Sequence, residues 1–401
     1  MKYLALLLLF SFQINAQTKN LKKHIGYLAS DQLEGRGTGT PAETKAGDYI
    51  IGQFKKIGLK PLGENGNFRQ LFAAKKGMPP NITQVNANNI LGWVDNGKAE
   101  SIIIGAHYDH LGMGDQGSSL MANSNGQVHN GADDNASGVA GMIELARFYA
   151  KNKITENYNF IFVAFSGEEL GLMGSKYLLD NPTFDLKNIN CMVNLDMIGR
   201  YRTDKGVSIG GIGTSKFWEE NASKLATEMK IKHTLDSAGI GPSDHTSFYL
   251  KDIPVLFLFT GAHQEYHKPT DDANLINYEG EVLLLDYIKN MIQKLNASPK
   301  IEFKKTSNPH SSAAKSSFKV TMGVIPDYSF DGKGLKIDGA SEGRPGEKAG
   351  LKAGDIITKI GEHEIKDVYG YMAALSKFEK GQTVQLIIIR KGETLTLTLI
   401  F

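Results

Sequence analysis

The sequence predicts an α/β protein in which a mostly parallel central sheet is covered by helices on both faces and followed by a small β-rich domain. Two observations point there. Between about residues 88 and 297, continuous apolar runs of strand length alternate with amphipathic stretches of helical spacing. That pattern belongs to strands buried on both faces. From about residue 317 to the end, only short strand-like runs and one helix-like stretch, "VYGYMAALSKF", remain. A chain of 401 residues, 41% of them hydrophobic, can bury a sizeable core and is long enough for more than one domain.

Each element has its own justification. "MKYLALLLLFSFQINA" (1–16) starts with Lys2, continues apolar and ends in a small residue, so it reads as a signal peptide. Its apolar stretch is shorter than the roughly 20 residues of a spanning helix. "PAETKAGDYIIGQFKKIGL" (41–59) has helical spacing with Pro41 at its start. A loop-rich stretch with "GENGN" and "KKGMPPN" follows. Strands are expected at 101–106, 159–165, 189–195 and 253–260, and helices at 137–152, 170–180, 215–230 and 279–295. "ASPKIEFKKTSNPHSSAAKSS" is polar, rich in Ser and Lys and without an apolar period, which marks a linker. The expected organisation is therefore a signal peptide at 1–16, a main domain at 17–297, a linker at 298–316 and a small domain at 317–401.

Charge and cysteine content narrow the function. Without the signal peptide, Lys2 is lost and 44 basic residues face 43 acidic ones. A near-neutral chain gives no footprint for nucleic acid, and no later stretch is apolar and long enough for a stable membrane span. The export reading places the protein in the periplasm or outside the cell. The lone Cys191 lies in a strand-like run and reads as inert packing.

The chemistry collects at strand ends. After the strand at 101–106 come His107 and Asp109; after 159–165 come Glu168 and Glu169; after 189–195 comes Asp196; after 253–260 comes "GAHQEYHKPTDD" with His267. The loop "NGADDNASG" adds Asp133 and Asp134 ahead of a helix. In open α/β sheets the C-terminal strand edge is where ligands bind, so these side chains converge. His and carboxylate donors without usable thiolates suit zinc or a similar divalent ion. So many carboxylates in one place repel unless cations neutralise them, and two ions bridged by one carboxylate resolve that repulsion.

"GAHYDHLG", "NGADDNASGVA", "FSGEELGLMGS", "NLDMIG" and "YHKPTDD", in this order, resemble the di-zinc aminopeptidase family of bacterial secreted leucyl aminopeptidases, relatives of glutamate carboxypeptidase and the glutaminyl cyclases. The likeness covers about residues 20 to 297, and "YLASDQLEGRGTGTPAETKAGDYI" resembles the family's opening segment. The resemblance implies the zinc exopeptidase fold, two Zn2+ or similar divalent ions per chain, and peptide substrates. It implies that His107 and Asp196 bind one metal, Glu169 and His267 the other, and that Asp134 bridges both. Glu168 is then the general base that takes a proton from the attacking water and passes it to the leaving amine. Asp109 is expected to hydrogen-bond His107 and fix its tautomer. Asp133, His110 and His263 read as loop or helix-cap residues. Asp244 and His245, in "GPSDHTSFY", are candidates for contact with substrate or with a ligand, and Tyr249 or Tyr266 for donation to the oxyanion.

"SFKVTMGVIPDYSFDGKGLKIDGASEGRPGEKAGLKAGDIITKIGEHEI" resembles the PDZ domains attached to bacterial periplasmic proteases. Met322, Gly323 and Val324 match the carboxylate-binding loop, so a peptide C-terminus is the implied partner. A packing module that binds no peptide is the alternative. The leading activity is a metal-dependent exopeptidase acting on N-termini. A carboxypeptidase or dipeptidase of the same fold is a second reading. A glutaminyl cyclase is a third, opposed by Ser166 and Phe257, where the cyclases carry Asp and His. A peptide-binding protein without catalysis, acting through its PDZ-like domain, is the reading from another class.

Overall fold

The structure is a computed structural model that describes residues 16–76, 83–114, 119–121, 123–306, 320–326, 332–340, 343–366 and 368–401. The signal-peptide segment, apart from Ala16, and the linker from 307 to 316 lie outside the described residues. The chain divides into two compact units. The first comprises Met1–Gly117, Gly126–Thr260 and Pro269–Thr306; the second comprises Ser118–Asn125, Gly261–Lys268 and Ser307–Phe401.

In the first unit, helix α1 (16–28) buries Leu21, Ile25 and Leu28, one face at helical spacing. Helix α2 (Pro41–Ile57) starts where the hydroxyl of Thr40 accepts the Glu43 N–H, and it stops at Gly58, whose φ of 93° only glycine adopts cheaply. Strands β1 (Lys60–Pro61), β2 (Arg69–Lys76) and β3 (Thr83–Val94) come next. The β2/β3 pair is an antiparallel ladder from Arg69↔Ile90 to Lys76↔Thr83 in a stretch the sequence presents as loop-rich. Polar residues on β3, Asn86, Asn88 and Asn89 among them, hide its apolar alternation.

Strands β4 (Ser101–His107), β5 (Asn159–Phe165), β6 (Ile189–Leu195) and β9 (Val255–Phe259) lie side by side in the order β5-β4-β6-β9, all parallel. Helices α3 (Gly138–Lys151), α4 (Met173–Asp180), α5 (Lys216–Glu228), α6 (His245–Tyr249) and α7 (Tyr278–Asn296) fill the connections. Antiparallel neighbours extend the sheet: β3 beside β5, and β7 (Val207–Gly210) beside β9, with β8 (His233–Leu235) at the far edge. Both faces are covered, as the continuous apolar runs require. Ile102 and Ile104 pack with α2, α3 and α7, whereas Ile103 packs with Leu178 of α4 and Phe248 of α6. All three isoleucines are fully buried, and truncating one to Ala costs roughly 2–5 kcal/mol. The register sets the strand ends level: His107 pairs with Phe165, and Leu195 with Leu258.

Packed chain continues past residue 297 to Thr306. Ile301 is buried, its N–H donates to Asn190 Oδ1 at 3.1 Å, and Thr306 Oγ1 donates to the Tyr249 hydroxyl at 3.0 Å.

The second unit holds an antiparallel sheet of β10 (Val324–Pro326), β11 (Leu335–Ala340), β12 (Ile356–Ile360), β14 (Thr383–Arg390) and β15 (Glu393–Ile400), with β13 (His363–Glu364) on β12. Helices α8 (Pro345–Lys348) and α9 (Val368–Leu375) complete it. Its core includes Met322, Ile337, Ile357, Leu386 and Leu399. Asp355, in the telling "KAGD" stretch, is fully buried and takes both arms of Arg390 at 2.7 Å. Such a bidentate pair fixes the turn before β12 to β14.

Candidate active site

Four segments of the first unit bring the expected acids together with His107, whereas the expected ligand His267 is described with the second unit. β4 delivers His107. Beyond β5, Gly167 turns with a φ of 68° and places Glu168 and Glu169. β6 delivers Asp196. The fourth segment, Ala132–Ser137, is a single wide helical turn carrying Asp133, Asp134 and Asn135, with the Asp134–Asn135 peptide in the cis form. Gly131 opens it at a φ of 55°, where a Cβ would collide with the Asp134 carbonyl and the His110 ring.

Two groups of donors result, each with its atoms within 4.8 Å of one another. In the first, His107 Nε2 lies 3.3 Å from Asp134 Oδ1 and 3.5 Å from Asp196 Oδ1. In the second, His110 Nδ1 lies 2.8 Å from Glu169 Oε1 and 3.8 Å from Asp134 Oδ2. Asp134 therefore offers one carboxyl oxygen to each group. Buried imidazole and carboxylate donors converging at these distances fit a divalent cation of the zinc class, and the two groups are able to hold metal.

The two adjacent glutamates part ways. Glu169 turns to His110, while the Glu168 N–H donates to Asp109 Oδ1 at 3.1 Å. Burial, with Glu169, Asp244 and Asp196 adding to it against the pull of His107, pushes the Glu168 carboxyl well above its usual range. Burial opposes protonation of His107, but the charges of Asp196 and Glu168 outweigh it and raise that imidazole. These shifts have one origin, crowded carboxylates out of water. A divalent cation held among them would reverse that balance and keep the acids ionised.

The expected link from Asp109 to His107 takes a different form. His107 Nδ1 donates to the backbone carbonyl of Asp109 at 3.1 Å, while the Asp109 carboxyl stands 3.8 Å away. The carboxyl instead accepts from Thr38 Oγ1 at 2.8 Å and from the Glu168 N–H. The carbonyl bond still fixes the tautomer that leaves Nε2 free to bind metal.

Several residues at the site are not apparent from the sequence. His110, read as a loop histidine, is fully buried on Glu169. Asp271 Oδ2 accepts the N–H groups of Asp133 and Asp134 at 2.9 and 3.0 Å and so holds the Ala132–Ser137 turn. Asp133, read as a cap, accepts from Gly199 N at 2.7 Å and clasps the chain beyond Asp196. Arg36, of "EGRGTG", is buried and donates to the carbonyls of Leu28, Tyr108, Asn130 and Gly131. Burial lowers its guanidinium to about 10, against the pull of Asp134, Asp109, Asp271 and Glu169. Glu43 bonds Ser166 Oγ and accepts Gly39 N at 2.7 Å; burial, then the charge of Asp109, raises it to about 8.

The remaining candidates fall as follows. Asp244 is buried, and burial lifts it to about 7 against the pull of His107 and of the Ser175 hydroxyl. His245 stacks on Phe257 with ring centroids 4.3 Å apart, and burial lowers it to about 3. The Tyr249 hydroxyl is taken up by Thr306. His267 and Tyr266, stacked on each other, are described with the second unit. There too, Met322 and Val324 are buried in the core, with Gly323 between them at a φ of 68°.

The profile of peptidase family M28 matches residues 88–292, and that of the PDZ domain matches 306–400. The chain is 36% identical over 164 residues to the alkaline phosphatase isozyme conversion protein of Escherichia coli, a match covering 40% of this chain and 46% of that protein. It is 31% identical over 159 residues to aminopeptidase YwaD of Bacillus subtilis, covering 37% and 34%. Each match thus spans less than half the relative's length. Among solved structures, glutaminyl cyclase of Porphyromonas gingivalis superposes with a TM-score of 0.51 at 15% identity, covering 69% of this chain and 98% of that one, which shows a shared fold. With the family profile spanning half of its length, across the strands and loops that carry both donor groups, the chain belongs to peptidase family M28 and carries a PDZ domain at its C-terminus.

Proposed function

We propose that the protein is an exported metal-dependent exopeptidase that removes N-terminal residues from peptides. The observation that carries this reading is Asp134, whose two oxygens reach two separate imidazole–carboxylate groups. His107, Asp134 and Asp196 are assigned to one ion. Asp134 and Glu169 are assigned to the other, with His267 as the imidazole expected from the sequence and His110 orienting Glu169 through its 2.8 Å bond. Two zinc ions so held would supply Lewis acidity toward the scissile carbonyl and toward the attacking water. Glu168 takes the proton from that water and delivers it to the departing amine. Asp109 holds the Glu168 backbone in place. Asp244, a buried carboxyl beside the crowded acids of the site, is assigned to the substrate's terminal ammonium. That choice explains a restriction to chain ends, and the names of relatives such as aminopeptidase YwaD agree with it. Export rests on residues 1–16, and no described helix is long and apolar enough to cross a membrane.

The test is to incubate the purified chain with zinc and a panel of free and N-acetylated peptides and to read the products by mass spectrometry. Single-residue loss from free N-termini, abolished by a chelator, is expected. Release of ammonia from N-terminal glutamine would name a cyclase. Trimming from the carboxyl end would move the activity to a carboxypeptidase.

A further inference from the structure

The segment from Ser166 to Gly174 carries both glutamates, and its backbone is left-handed at Gly167, Gly171 and Leu172, with φ of 68°, 99° and 62°. Leu172 is not a glycine, and that conformation costs it energy and persists only where neighbours hold it. The inside of the loop closes on itself. The Glu168 carbonyl accepts the N–H groups of Gly171 and Leu172 at 2.8 and 2.9 Å, and the Gly167 carbonyl accepts the Met173 N–H at 2.9 Å.

A pair of buried amides on the β2/β3 hairpin ties the two ends of this loop together. Gln70 and Asn89 face each other across the ladder, and both are fully buried. Asn89 Oδ1 accepts the Ser166 N–H at 3.2 Å, and Asn89 Nδ2 donates to the Gly174 carbonyl at 2.9 Å. One side chain therefore holds the first and the last residue of the segment. Asn89 Nδ2 also donates to Gln70 Oε1 at 3.0 Å, and Gln70 Nε2 donates to the Asn181 carbonyl, just past the end of α4, at 2.7 Å. Reversing the Asn89 amide would set its NH2 against the Ser166 N–H, so the network admits one orientation. An added Cβ at Gly174 would collide with Asn89 Oδ1 and with the Ser166 carbonyl, so the ends approach as closely as glycine alone permits. The bond between Ser166 Oγ and Glu43 is a second anchor at the first end. All of these residues belong to the first unit.

We infer that Asn89 is a positioning residue for the paired glutamates: by clasping Ser166 and Gly174 it sets the turn that points Glu168 and Glu169 in their separate directions. The inference rests on the roles given to the two glutamates in the proposed function. A shift of about 1 Å in a reacting group, caused from a distance, costs on the order of 100-fold in rate.

The experiment uses the full chain and the variants Asn89→Ala, Asn89→Asp, Gln70→Ala and Glu168→Gln. Ile292→Ala, which opens a cavity in the buried face of α7, is the control for lost stability. With zinc present, kcat and KM are measured on a peptide with a free N-terminus. Unfolding temperature and amide hydrogen exchange are measured on the metal-free proteins. Asn89→Ala should lower kcat by about 10–100-fold with KM little changed, and should speed exchange at Gly171, Leu172 and Met173. Ile292→Ala should lower the unfolding temperature and leave kcat and loop exchange near the wild type's. Asn89→Asp keeps an oxygen for the Ser166 N–H, and Gln70→Ala leaves both loop ends bonded to Asn89, so each should lose less. Either carries the test where Asn89→Ala does not fold. Wild-type kcat and loop exchange in the Asn89 and Gln70 variants, beside an inactive Glu168→Gln, overturn the positioning role and leave the base assignment standing. An equal loss of kcat in Ile292→Ala makes Asn89 merely structural, and the inference fails. Wild-type turnover in Glu168→Gln removes the base assignment and the inference with it, as does the absence of any turnover by the wild type.

Discussion

Asp271 offers a sharp probe of how the Asp134 carboxylate is held. Its fully buried side chain accepts two backbone N–H groups, those of Asp133 and Asp134, at 2.9 and 3.0 Å. Asp271→Ala removes the one oxygen that accepts both N–H groups, where water has no ready access. Each buried donor left unpaired costs about 1–3 kcal/mol, so the turn loses roughly 2–6 kcal/mol of local support. Part of this appears as lower stability of the metal-free protein. The rest appears in binding, because Asp134 must then be ordered by the metals, and loss of such an outer partner typically weakens metal affinity by about 10–100-fold. Asp271→Asn keeps one carbonyl oxygen at the same place and should retain most of both. The assay is zinc competition against a chelator together with thermal unfolding, on the two variants and the wild type. An Asp271→Ala protein with wild-type zinc affinity and an unchanged unfolding temperature would refute the reasoning.

Two further outcomes are expected. Arg36→Ala strips donors from four buried carbonyls and should destabilise the fold by on the order of 4 kcal/mol or more, measured by denaturant unfolding. Glu43, lifted from an ordinary 4.5 to about 8, is protonated in the folded protein at neutral pH and ionised in the unfolded chain. Its raised value lends relative stability below pH 4.5 that is lost as pH rises toward 8. Glu43→Gln mimics the protonated form, so its unfolding temperature should exceed the wild type's above pH 8, with the difference vanishing toward pH 4.5; a difference independent of pH would contradict that protonation state.

Much of the site was legible because it lies at strand ends. Apolar runs fixed β4, β5 and β6, and the residues just beyond them had to share one sheet edge, which brought His107, Glu168, Glu169 and Asp196 into view. Asp134 was legible from its motif, and the structure adds the reason it suits a bridge. Asp271 and Arg36 were hidden because they act on backbone groups far along the chain, and no local spacing encodes that. His110 was hidden by its setting: two residues beyond His107 in a loop-like stretch, nothing local distinguishes a buried partner of Glu169 from a solvated side chain. The Asp109 contact was right in partner and wrong in atom, since a strand end can present its carbonyl as readily as its carboxyl. Strand β3 was missed because its asparagines break the apolar alternation; Asn89 is buried and spends its amide on Gln70 and Gly174.

The central claim is that Glu168 moves the proton while its neighbour Glu169 holds metal. Glu168→Gln tests it most directly, because the amide preserves shape and removes the base. Zinc content and peptide turnover are measured on the same preparation. The account predicts wild-type zinc uptake with hydrolysis reduced by about 100-fold to 10,000-fold. Turnover close to the wild type's with both ions bound would contradict it.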